Sequence, residues 1–255
     1  MSAPVALAVL RAEGIKLSTT RWPLWSALGV LVLSLGLAAV QGWTSYGSRP
    51  LPPARAALGV AVFGVPVLMV LASSAMTGEY RSGLIRTTFT ATPGRSLVLV
   101  AKAVVNAVFS AGCAALAVVA AVMVAGLAAE RPAGSALSLT GAGTWRLAGA
   151  IALYAALAAV LAVAVGALVR FSAGAVAVLL LWPMVAEPLL GNMPGFGPAV
   201  GPFLPFANMF RFLDVTWLYP AYAVPWGPVG SLVYFGVFMA LIFGAAAVVL
   251  DRRDA

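Results

Sequence analysis

The sequence predicts an all-α integral membrane protein with six transmembrane helices, an N-terminal interfacial helix, a cytoplasmic helix after the second span, and an outer aromatic segment. Three observations predict it. Of 255 residues, 63% are hydrophobic and 9% are charged, with a mean hydropathy of +1.04, so there is too little polar surface to cover a water-soluble globule. The apolar residues fall into six runs of about the length, roughly 20 residues, that crosses a bilayer as a helix. The runs also lack the alternation of apolar and polar residues that the wall of a closed barrel requires, Ala114 to Ala129 being an example.

The whole chain, 1–255, reads as a single transmembrane domain. Residues 4–20 predict a short helix with Leu7, Leu10 and Leu17 in one sector and Arg11, Glu13 and Lys16 elsewhere, lying in the cytoplasmic interface and entering the membrane at Trp22-Pro23-Leu24-Trp25. The spans are expected at 22–42, 57–76, 98–128, 147–169, 173–190 and 228–250. Ala and Gly recur through the third and fourth, which suits close helix packing. A GC-rich genome, suggested by Arg outnumbering Lys thirteen to two, would give the same composition. No cleavable leader pattern is visible, so the N-terminus is expected to be retained.

Six crossings place both termini on one side, and the cations choose it. Arg11, Lys16, Arg21, Arg81, Arg86, Arg95, Lys102, Arg170, Arg252 and Arg253 share one side, against Arg49, Arg55, Arg131, Arg146 and Arg211 on the other. The positive-inside bias therefore puts both termini in the cytoplasm of a bacterial cell, in a multi-pass plasma-membrane protein. The formal charge of +8 sits at span ends, where anionic lipid headgroups meet it, so the lipid bilayer and not nucleic acid is the expected partner. The absence of histidine and the single Cys113, inside the third span, leave no disulfide and no obvious metal site.

Residues 77–95 are the most polar stretch. Thr77 is placed to cap a helix with Glu79 in its first turn, and Pro93-Gly94 stops it, predicting about three turns over Glu79 to Thr90. Leu84, Ile85 and Phe89 form an apolar ridge bordered by Arg81 and Arg86, suited to docking on a protein or to resting on the bilayer. The outer segment 191–227 is broken by six prolines and carries nine aromatic residues, among them Phe203, Phe206, Phe210, Trp217, Tyr219, Tyr222 and Trp226. Short helices that dip into the outer leaflet or pack over the bundle are expected, with Pro205 to Val215 the best candidate and Arg211 with Asp214 as an i, i+3 pair. Glu187 is an acidic residue inside an apolar run, a candidate for substrate contact or for pairing with an outer donor or a helix end.

The run Gly78-Glu79-Tyr80-Arg81-Ser82-Gly83-Leu84-Ile85-Arg86-Thr87-Thr88, followed by Pro93-Gly94-Arg95 and Val98-Leu99-Val100-Ala101-Lys102, resembles the signature between the second and third spans of ABC transporter permeases of the type-two exporter class, actinobacterial members above all. Glu13 to Arg21 is similar to that family's pre-membrane segment. The resemblance implies a permease that pairs with a second copy of itself or a close paralogue and docks on a separately encoded ATPase, which binds ATP and Mg. The coupling helix would be Glu79 to Thr90, with Glu79, Tyr80, Arg81, Leu84, Ile85, Arg86 and Phe89 meeting the ATPase. The cargo would be hydrophobic or amphipathic. The chain itself lacks a phosphate-binding G-x-x-x-x-G-K-[ST] loop and is expected to hold no cofactor. An accessory or sensor subunit that binds an ATPase without transporting is the alternative. A membrane-embedded enzyme would need convergent acids and bases, which seven scattered acidic residues do not offer.

Overall fold

The computed structural model describes residues 3–46, 50–130, 132–215, 218–220 and 222–252. Arg49, Arg131, Trp217 and Arg253 of the charge and aromatic patterns lie outside the described residues. Among the described residues there is no strand, and six helices are long and apolar enough to cross a membrane. These are α2 (Trp22–Trp43), α3 (Val60–Ser82), α5 (Arg95–Ala128), α6 (Ala142–Val169), α7 (Ser172–Asn192) and α9 (Pro228–Arg252). Around them stand α1 (Ala3–Thr19), α4 (Leu84–Ala91) and α8 (Pro205–Phe212).

Two helices make the centre. In α3 and α6 about seven-tenths of the apolar stretch is buried (72% and 67%), against 11–33% in the other four. The outward faces are apolar, as Val108, Leu116 and Leu127 on α5 show at 70–86% exposure, so water is a poor solvent for this surface and lipid a good one. Small residues let the helices approach. A Cβ on Gly166 of α6 would lie 2.9 Å from the Ser73 carbonyl oxygen of α3, and one on Gly42 of α2 would lie 2.6 Å from that of Ala125 on α5. At these positions glycine is a packing requirement whatever shaped the overall composition. Gly166→Val is therefore expected to destabilise the bundle by about 1–3 kcal/mol. Gly112→Val on α5, where an added Cβ meets nothing within 4 Å, should leave the melting midpoint unchanged in the same detergent.

α3 and α7 each contain a π-helical turn, Val60–Gly64 and Trp182–Ala186. Each lies just N-terminal to a proline, Pro66 and Pro188, whose missing N–H and bulky ring force the preceding carbonyls out of the α ladder. In α7 the displaced carbonyl of Pro183 finds another donor: the Tyr219 hydroxyl donates to it at 2.8 Å.

Three expectations need correction. The polar helix expected over Glu79 to Thr90 is two helices. α3 runs to Ser82, with Thr77 buried within it instead of capping a new helix, and Gly83 at φ 74° ends it. Polarity at Thr77 marks the end of the apolar run and not of the helix; the helix ends where a glycine can take the left-handed conformation. In α1 the inward face carries Val9 and Glu13, while Leu7 of the expected leucine sector is half exposed. Arg211 and Asp214 make no ion pair, because α8 stops at Phe212 and Asp214 adopts φ 57°, out of helical register. The stop at Pro93-Gly94 is as expected, with α5 starting at Arg95.

Candidate functional site

At the end of the bundle that carries Arg81, Arg95 and Arg252, four charges close a ring. Glu13 comes from α1, which lies against α5; Glu79 comes from the last turn of α3; Lys102 stands two turns into α5. Lys102 Nζ donates to Glu13 Oε2 at 2.8 Å and to Glu79 Oε1 at 2.6 Å. Lys16 Nζ donates to Glu13 Oε1 at 2.7 Å and to Glu79 Oε1 at 2.8 Å, and Thr88 of α4 donates to Glu79 Oε2 at 3.2 Å. The Lys102 side chain is 1% exposed and that of Lys16 47%. Signs alternate around the ring and cancel, which is how four charges tolerate this degree of burial. Burial alone would lower the pKa of Lys16, but its hydrogen bonds to Glu13 and Glu79 outweigh it and hold the ammonium above its ordinary value. A raised folded pKa means that the contribution of Lys16 is present at neutral pH and is lost only as the pH climbs through that value, in strongly alkaline solution.

This ring redistributes the residues of the polar motif. Glu79 faces inward to the ring. Tyr80 is half-buried, with the Arg170 guanidinium 5.1 Å from its ring centre. Ile85 is buried, and Phe89, half-buried, carries Arg95 5.3 Å over its ring. Arg95 in turn donates to the Leu250 carbonyl at 3.1 Å, a favourable place for a cation at the C-terminal end of α9. Arg81, Leu84 and Arg86 are left exposed. The expected ridge is thus split: Ile85 and Phe89 anchor α4 to the bundle, and Leu84 faces away with the two arginines.

At the opposite end, Glu187 is fully buried and its carboxylate caps α8. It accepts from the Phe206 N–H at 2.9 Å, the Ala207 N–H at 3.1 Å and the Trp182 indole N–H at 2.8 Å. These backbone groups belong to the second and third residues of α8 and are its first two N–H groups, since Pro205 has none; they are the pair an N-cap side chain normally serves, and Leu204 at the N-cap has no side chain able to do so. Of the roles open to an intramembrane carboxylate, the helix end is the one its oxygens occupy. α8 itself packs on α6 and α9 through an aromatic cluster: Phe210 meets Tyr154 edge-on at 6.1 Å and Tyr219 at 5.4 Å, and Phe206 meets Phe235 at 5.4 Å. Asn208 donates to the Pro202 and Leu204 carbonyls and accepts from the Trp226 indole at 2.9 Å. The proline-rich segment packs over the bundle because its polar backbone groups are met by these side chains.

Sequence reasoning missed the partners. Lys102 lies inside the span drawn at 98–128, and a cation inside an apolar run is as clear a signal as Glu187. Asn106, one turn further, is also buried and donates to the Lys102 carbonyl. Glu13 and Lys16, three apart on α1, gave no comparable signal. Among the described residues no group of three or more His, Cys, Asp or Glu is placed to hold a metal. The sequence matches no protein-family model and no curated protein.

Proposed function

We propose that this chain is the permease subunit of an ATP-driven ABC exporter, forming with a second copy the pathway for a hydrophobic or amphipathic cargo. The ATPase would be a separate subunit that binds ATP and Mg. Both termini, the ion ring and α4 would face the cytoplasm of a bacterial plasma membrane, on the strength of the cation bias. The observation that carries the reading is α4: a two-turn helix at the basic end, anchored by Ile85 and Phe89, tied to α3 through Thr88 and Glu79, and exposing Leu84 between Arg81 and Arg86. A helix held on one side and bare on the other is suited to pass a push from a docked protein into α3 and α5. Leu84 would seat in an apolar cleft of the ATPase, with Arg81 and Arg86 meeting acidic residues at its rim. This narrows the docking set, since Glu79 and Ile85 face the bundle.

The tagged chain, purified from its native membrane in mild detergent, should bring with it an ATP-hydrolysing protein. Leu84→Asp combined with Arg86→Glu should lower its recovery at least tenfold, with an unchanged melting midpoint. Recovery of the ATPase undiminished by that pair would refute docking through α4. If the ATPase co-purifies but reconstituted vesicles move no cargo, the chain is an accessory subunit.

A further inference from the structure

α1 turns its acidic charge inward. Its one carboxylate, Glu13, is taken up by the ion ring, while Val5, Ala8, Ala12 and Ile15 are all exposed on the side away from the bundle. At 3.6 residues per turn these four fall within about 80° of one another, with Arg11 bordering the strip on one side and Lys16 on the other. The strip is not the leucine sector expected from spacing, since Leu10 and Leu17 are half-buried. The ring also sets the depth at which α1 lies. Glu13 bonds Lys102, which stands on α5 between Val100 and Val104, two exposed apolar residues of a span. α1 therefore runs alongside the apolar outer face of α5 and not beyond its end. After Thr20 and Arg21 the chain enters α2, whose first turn exposes Trp22 and Trp25, side chains that favour the headgroup level of a bilayer.

We infer that α1 is sunk into the leaflet at the basic end of the bundle, its apolar strip against acyl chains and Arg11, Lys16 and Arg21 holding the phosphates of anionic phospholipids. The charge match is one-sided: these three cations are exposed, and the single carboxylate of α1 is withdrawn into the ring. Long basic side chains at the border of an apolar strip keep their stems in the apolar layer and reach up to the headgroups. Each such cation adds attraction to an anionic leaflet. Lys16 also donates to Glu13 and Glu79, so the lipid contact adjoins the ring directly. The surface does not depend on whether the chain transports a substrate.

The full chain, with Cys113→Ala to remove its one native thiol, can carry a nitroxide at Ala8→Cys, Ala12→Cys, Val108→Cys or Thr90→Cys in bilayer nanodiscs. Collisions with oxygen, which concentrates in lipid, are then compared with collisions with a water-soluble nickel chelate. At Ala8 and Ala12 the oxygen-to-nickel ratio should match that at Val108 on the outer face of α5 and exceed that at Thr90 on α4 at least threefold. A ratio matching Thr90 would put the strip in water, open to a protein, and would overturn the inference. The headgroup is tested with spin-labelled lipids in bilayers of phosphatidylcholine mixed with phosphatidylglycerol. Phosphatidylglycerol should be retained at the protein at least twofold over phosphatidylcholine. Arg11→Gln combined with Arg21→Gln should remove at least half of that preference at an unchanged melting midpoint. An undiminished preference would assign the anionic lipid to the other cations of that end, and the headgroup assignment to α1 would be wrong.

Discussion

Lys102→Met will lower the thermal unfolding midpoint in detergent by roughly 10 °C, whereas Lys16→Met will shift it by only a degree or two. The two lysines touch the same two carboxylates at nearly the same distances, so the difference comes from burial. Removing one partner of a buried pair destabilises by about 3–5 kcal/mol because the charge left behind is neither solvated nor balanced, while an exposed pair is worth at most about 1 kcal/mol. Without Lys102, Glu13 and Glu79 would share Lys16 alone in a space from which water is largely excluded. Neutralising all three, with Glu13→Gln, Glu79→Gln and Lys102→Met, should recover much of the loss, since the penalty lies in the imbalance. Equal shifts for the two single lysine variants would show that the ring is solvated and that α1 is only loosely attached. The triple variant also separates two roles: it should fold, but with α1, α3 and α5 no longer tied by charge beside α4. On the docking reading, a push on α4 would then be transmitted less faithfully.

The spans were legible because a bilayer imposes a length and a composition that six apolar runs satisfy, and because prolines and glycines mark their breaks. The boundaries were less so. Hydropathy falls at Thr77, but nothing in it says that the helix continues, buried, for another turn and a half until Gly83 allows it to stop. Of the motif residues, polarity separated Arg81 and Arg86 from the apolar ridge, yet no local pattern distinguishes Leu84, which faces out, from Ile85, which faces in. That choice is made by where α4 meets the bundle. Of the four ring members only Lys102, a cation inside an apolar run, carried a signal of burial in the sequence, and the contacts that tie α1 to α3 and α5 join positions 63 and 89 residues apart. Glu187 was singled out by its setting, but its donors, Phe206 and Ala207, are backbone groups that any residue type would offer. The aromatic segment revealed its need for cover through composition; which surface covers it depends on Tyr154 and Phe235 from distant helices.

Glu187→Leu should cost on the order of 3 kcal/mol, because two buried backbone donors, at about 1–3 kcal/mol each, and the part-buried Trp182 indole lose their acceptor together, offset in part by the easier burial of an apolar side chain. The replacement is close in size, so the effect would come from hydrogen bonding and not from a cavity. Glu187→Gln should fall between, at about 1 kcal/mol, since its carbonyl oxygen can still serve one backbone donor while its amide turns a second donor toward the rest. The local signature matters more than the global one. Hydrogen exchange should accelerate through Pro205–Phe212 and at the contacts of Trp226 with Asn208, and remain native in α2 and α5, which lie outside the cap's reach. A Glu187→Leu protein with native protection in α8 would mean that the helix stands without its cap. The buried carboxylate would then need another reason to be there, and contact with a passing substrate would become the reading to test.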